Sequence, residues 1–122
     1  MNLAGVIKKI YINSISVGLI SRIRLKKITN SNVLTVLNFH RVHKADGSAY
    51  RPLCPDLFDH LLRFLTRHFY IVTFAELSNL QGKVCKKPLL IITFDDGYKD
   101  FFTVAVPLLR KYGIKVNQNI IP

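Results

Sequence analysis

The sequence predicts an α/β protein with parallel strands. Strand-like and helix-like segments alternate from residue 32 onward, in the order β, α, β, α, β, α, β, which is that of parallel strands joined by right-handed crossovers. The run "PLLIITF" (residues 88–94) is uninterruptedly apolar, as expected of a strand covered on both faces. With 122 residues, 49% of them hydrophobic, the chain can bury one modest core. A complete (β/α) barrel takes roughly 200 residues or more and is excluded for this length.

Each element has its own local signature. "NVLTVLNF" (residues 32–39) is β-branched and apolar and reads as a buried strand; "HRVHKADGS" behind it, with Asp46-Gly47, reads as a long loop. Pro55 opens a helix whose apolar residues Leu57, Phe58, Leu61, Leu62 and Leu65 fall on helical spacing. Asp56 and Asp59 sit in its first turn and Arg63, Arg67 and His68 towards its end, a charge order that suits the helix dipole. "YIVTFAELSNL" gives a short strand and a short helix, with Thr73 as N-cap and Glu76 completing a capping box. Residues 100–112 read as a helix kinked at Pro107 and stopped at Gly113, after which "IKVNQNII" resumes a strand. No internal repeat or low-complexity segment interrupts this order.

Residues 1–32 form a separate, basic segment. Lys8, Lys9, Arg22, Arg24, Lys26 and Lys27 occur there with no acid, around the uncharged "IYINSISVGLIS", which is too short to span a bilayer. Apolar residues Leu3, Val6, Ile7, Ile10, Val17 and Ile20 fall near helical spacing. Two readings stay open: a basic amphipathic helix whose six cations contact a membrane or another anionic surface, and a helix packed on the protein with a solvated basic face. The stretch runs into "RIRLKK" rather than a small-residue cleavage site, so a cytoplasmic or membrane-peripheral location is expected over secretion. In all, 18 Lys and Arg against 7 Asp and Glu give a formal charge of +11, which favours anionic partners. The basic residues do not interleave with aromatics as single-strand nucleic-acid binders require, so nucleic acid is not expected. Cys54 and Cys85 permit one disulfide at most, and without a C-x-x-C pair they are expected to be small buried apolar residues.

The chemistry concentrates at "TFDDG". Asp95 and Asp96 stand at the carboxyl end of the apolar strand, the edge where α/β folds place catalytic groups. Adjacent carboxylates point in different directions from a strand end, so one can offer oxygen to a metal while the other moves a proton. Gly97 permits a sharp turn or a close approach of backbone to ligand. Taken alone, Asp-Asp-Gly also suits a polar turn with an N-capping aspartate.

The surrounding segments decide between these readings. "TFDDG" followed by Tyr98, an apolar helix and "PLLRKYGIKV" resembles the first motif of the polysaccharide deacetylase family, the NodB-homology domain of carbohydrate esterase family four. "VLNFHRV" (residues 36–42) is similar to the first strand of its members, and residues 58–77 to their intervening helix and "v-T-x-x-E-L" segment. The resemblance covers about residues 33–120. It implies the N-terminal portion of an irregular (β/α) barrel over residues 33–122, and hydrolysis of acetyl groups from an N- or O-acetylated polysaccharide or glycoconjugate. It further implies Asp95 as general base, Asp96 as ligand of a divalent metal, commonly zinc, and His40, Gly97 and Tyr98 lining the pocket. The second family motif, H-[ST]-x-x-H, is missing; "HRVH" lies upstream with the wrong spacing, so the remaining histidine ligands are expected beyond this chain. His43, His60 and His68 are given no metal role. Polar "NQNI" stands where members carry an apolar strand, a departure the sequence does not explain. Two other readings fit the same residues: a non-catalytic relic of this fold that binds glycan or a partner, and a basic membrane-associated module.

Overall fold

A computed structural model of the chain describes residues 19–30, 33–80, 82–83 and 85–120. Helix α1 (Leu19–Asn30) precedes strand β1 (Leu34–Phe39), helix α2 (Pro55–His68), strand β2 (Tyr70–Ile71), the single helical turn α3 (Phe74–Leu77) and strand β3 (Leu89–Phe94). A π-helical stretch (Phe101–Ala105) then runs into helix α4 (Val106–Lys111), and strand β4 (Asn117–Gln118) follows. All pairings in the sheet are parallel, as the alternation of elements predicts.

β3 is the central strand. β1 pairs along its whole length, from Leu34 opposite Leu89 to Phe39 opposite Phe94. On the other side β2 pairs with its first two residues and β4 with its last two. Alternation divides β3 between two faces. Leu90, Ile92 and Phe94 join the main core with Phe58, Leu62 and Leu65 of α2 and with Phe101, Ala105 and Leu109. Ile91 and Thr93 face the other way and are buried as well, which is why the strand reads as one apolar run. β1 departs from the expected buried strand: Leu37 and Phe39 pack on the core, whereas Val36 is 47% exposed and Asn38 is exposed beside it. The sheet face opposite the core therefore carries, at successive alternate positions, Asn38 and His40 from one strand and Thr93 and Asp95 from the next.

Local chemistry explains where the helices start and stop. Pro55 occupies the first turn of α2, where its missing N–H costs nothing, with Asp56 beside it and Arg67 and His68 at the far end. Phe58, Leu62 and Leu65, spaced for one helical face, are its buried residues. The break expected at Pro107 takes the form of a widened turn, with the Val106 N–H reaching back to the Phe101 carbonyl. Proline cannot supply the next helical donor, and the regular α-helix is short.

The capping box of α3 is formed in full. Glu76 N–H donates to Thr73 Oγ1 at 3.3 Å and Thr73 N–H donates to Glu76 Oε2 at 3.0 Å. Thr73→Ala is expected to cost about 1 kcal/mol, read as a lower urea midpoint at unchanged slope.

Helix α1 is weakly amphipathic over its described length. The remainder of the basic N-terminal segment, with Lys8, Lys9 and most of the apolar positions, lies outside the described residues. No helix among the described residues is long and apolar enough to cross a membrane. Cys54 and Cys85 are free thiols. Contrary to expectation Cys54 is exposed, because it sits at the N-cap of α2 where the loop enters the helix, and Cys85 is half-buried.

Candidate active site

The β1–β3 ladder extends one step past the strands, with Asp95 N–H donating to the Phe39 carbonyl at 2.9 Å. This fixes Asp95 on the face that holds Asn38 and Thr93. Thr93 Oγ1 donates to Asn38 Oδ1 at 2.7 Å, which turns the Asn38 amide so that Nδ2 donates to Asp95 Oδ2 at 2.6 Å. From the opposite side Asn119 Nδ2 donates to Asp95 Oδ1 at 2.8 Å, and its own N–H continues the sheet by bonding the Phe94 carbonyl. Both oxygens of Asp95 are thus held by amide donors. The Asn119 amide first, then Asn38 and the neighbouring His40, keep its carboxyl below the usual carboxylate range against the opposing effect of burial. Asp95 is consequently ionised over the whole neutral range, and is a correspondingly weaker base.

The chain then reverses sharply. Asp96 has φ +68° and Gly97 φ +69°, two consecutive residues in the left-handed region. Such a conformation is ordinary for glycine and costs roughly 1–2 kcal/mol for a residue with a Cβ, least for Asp and Asn. The turn swings the Asp96 carboxylate away from its neighbour towards His40, whose Nδ1 lies 3.0 Å from Asp96 Oδ2. About one third of each side chain is exposed, so the pair is open to ligand. A Cβ on Gly97 would stand 3.3 Å from Ile120 Cγ2 and would also meet the left-handed penalty. Gly97→Ala is expected to lower stability by roughly 1–2 kcal/mol, measured by urea unfolding.

One residue after His40, Arg41 gathers the loop over this edge. Its Nε donates to Asp100 Oδ2 at 2.9 Å, Nη2 to Asp46 Oδ2 at 2.7 Å and Nη1 to Ser48 Oγ at 3.0 Å. The guanidinium lies over the Tyr98 ring, 5.2 Å from its centroid. The folded loop brings the Tyr50 ring edge-on to His40, centroids 5.4 Å apart. The Ser48 hydroxyl and Arg41 hold the Asp46 carboxyl well below its ordinary range.

The structure therefore brings together Asp95, Asp96, His40, Gly97 and Tyr98 at one edge. His43, His60 and His68 are not part of it: His43 bonds the Lys44 carbonyl, and His68 packs against Phe64 on α2. Sequence reasoning missed Asn38, Arg41, Tyr50 and Asn119. A signal existed for two of them, an asparagine inside an apolar strand and the unexplained "NQN". Asn117 accepts from the Phe74 N–H at 3.3 Å and Asn119 reaches Asp95, so the two asparagines of this segment tie β4 to α3 and to the site. As to a metal, the Asp96 carboxylate with an imidazole beside it suits a divalent cation, but the donor set is short. Among the described residues no group of three or more His, Cys, Asp or Glu could hold one.

No family model matches the chain. It is 31% identical over 84 residues to YxkH of Bacillus subtilis strain 168, a protein named as a polysaccharide deacetylase; the match takes in 67% of this chain and 29% of YxkH. Among solved structures it resembles the Streptococcus pyogenes deacetylase PplD in complex with acetate, with a TM-score of 0.64 and 29% identity over 72% of this chain and 42% of PplD. IcaB from Ammonifex degensii matches with a TM-score of 0.60 and 29% identity, over 71% of this chain and 37% of IcaB. The chain thus spans well under half the length of these relatives.

Proposed function

The chain belongs to the polysaccharide deacetylase family, part of whose fold it carries, and on that footing we propose that residues 33–122 are the N-terminal part of a metal-dependent carbohydrate deacetylase domain, with residues 1–32 a separate segment. The substrate is an N- or O-acetylated polysaccharide or glycoconjugate, and the reaction is hydrolysis of the acetyl group to free acetate. Support comes from one observation above all. At the carboxyl end of the central parallel strand two adjacent carboxylates have separate partners, Asp95 two amides and Asp96 an imidazole.

The roles follow from those partners. Asp95, held ionised and fixed in direction, takes the proton from the water that attacks the acetyl carbonyl carbon; the carbonyl C–N or C–O bond then breaks and the sugar leaves with a proton. Asp96 contributes one carboxylate ligand to a divalent metal, zinc by family resemblance, whose other ligands come from outside these 122 residues. When bound, that cation supplies Lewis acidity for an acetamide carbonyl that is otherwise a poor electrophile. His40, Gly97 and Tyr98 line the pocket: His40 beside Asp96, Gly97 making the turn, and Tyr98 backed by Arg41.

The test is acetate release from an N-acetylated oligosaccharide by the protein extended with the rest of the family fold. Release that stops on chelation and returns with zinc is expected, together with none from the 122 residues alone. A folded, zinc-loaded extended protein that binds the oligosaccharide and releases no acetate would identify a non-catalytic glycan binder instead.

A further inference from the structure

We propose that the sheet edge opposite the two aspartates is a docking surface for an anionic membrane. Two clefts adjoin there. One, of about 530 Å³, is lined by Arg22 and Lys26 of α1, Arg67 and His68 at the end of α2, and Lys86 and Lys87 ahead of β3. The other, of about 730 Å³, is more apolar, with Ile28, Val33, Phe74, Leu77, Leu80 and Leu89 in its wall beside Lys83 and Lys87. They share Thr29, Cys85, Lys87 and Pro88, so a basic and an apolar concavity open side by side.

The basic cleft is without compensating charge. All 7 acidic residues of the sequence lie among the described residues, and none lines it. Arg41 engages Asp46 and Asp100, Lys111 engages Asp59, and Lys115 engages Glu76. Asp96 is beside His40, and Asp95 lies between two asparagines. Asp56 begins α2, eleven residues and roughly 16 Å along the helix from Arg67. Lys87 donates to the Thr66 carbonyl, while Arg22, Lys26, Arg67 and Lys86 have no carboxylate partner among the described residues.

Cations converging from three elements on one concave site match phosphate-bearing headgroups, and the adjoining apolar cleft matches the interfacial region beneath them. Ile23, 59% exposed between Arg22 and Arg24, adds apolar surface at the same helix. Nucleic acid fits less well, because the second cleft offers a single aromatic ring, Phe74, rather than a series of stacking platforms. A strand of six residues, roughly 20 Å long, separates Lys86, Lys87 and Pro88 of the basic cleft from Asp95.

Flotation of the full 122-residue chain with vesicles tests it, using phosphatidylcholine alone and a two-to-one mixture with phosphatidylglycerol. Binding to the mixture only is expected, weakening as salt rises. Lys26→Glu with Lys86→Glu should weaken it at least tenfold, while Lys44→Glu with Arg51→Glu, the same charge change near the other edge, should leave most of it. Amine-reactive labelling of the unmodified chain keeps the idea testable if the first pair does not fold: vesicles should protect Lys26, Lys86 and Lys87 and leave Lys99 reactive. Equal binding to neutral vesicles, no binding, protection confined to Lys8 and Lys9, or tighter binding to a DNA oligonucleotide at the same salt would overturn it.

Discussion

Asp95→Asn in the extended protein is expected to lower the rate of acetate release by roughly 100- to 10,000-fold, the usual contribution of a general base. The substitution is nearly isosteric but changes what the position can accept. Asn38 and Asn119 both donate to Asp95, one to each oxygen, and an amide offers only one acceptor oxygen. One donor must turn away, and no basic carboxylate is left at that point. Asp96 cannot take over, because the left-handed turn points it at His40 instead. Comparison of kcat at saturating substrate, on protein of verified metal content, checks this; a loss of less than tenfold removes Asp95 from the role of base.

Phe94→Ala is expected to cost about 3–5 kcal/mol, a large share of a total stability of the usual order of about 5–15 kcal/mol. Phe94 is fully buried at the end of β3, where four aromatic rings meet. Its ring stacks on Phe39 at 5.4 Å, meets Phe58 edge-on at 6.0 Å and touches Phe101 at 4.8 Å. Those partners come from β1, α2 and the start of the π-helical stretch, so a cavity there loosens every element that positions Asp95. Phe94→Leu, which keeps most of the volume, should cost clearly less. Urea unfolding followed by near-UV circular dichroism separates the two variants, and equal, small losses would contradict this packing.

What could be read from the sequence was what local pattern determines. Pro55–His68 is helical because apolar spacing, a first-turn proline and the charge order agree, and "PLLIITF" is the central strand because both of its faces are covered. The Thr73–Glu76 box is a contact three residues long. What could not be read depends on register across the sheet. Asn38 meets Asp95 only because β1 and β3 run parallel with Asn38 opposite Thr93, a contact between residues 57 apart in the chain. Asn119 reaches the same carboxylate because β4 adds only two residues to β3 before the chain passes over the site. Arg41 carries no local signal, and only folding of its loop brings it to Asp46 and Asp100. The exposure of Val36 in a strand read as buried has the same origin, since sequence pattern does not say which sheet face is covered.

The separate duties of the two aspartates are best examined by calorimetric zinc titration of the extended protein and its two asparagine variants. Asp96→Asn should lose at least tenfold in zinc affinity, because a neutral amide oxygen replaces a charged ligand. Asp95→Asn should bind zinc nearly as the parent does, since its carboxylate is held by Asn38 and Asn119 rather than by His40 or Asp96. Equal loss of zinc from both variants, or parental affinity in Asp96→Asn, would contradict the division of labour at the end of β3.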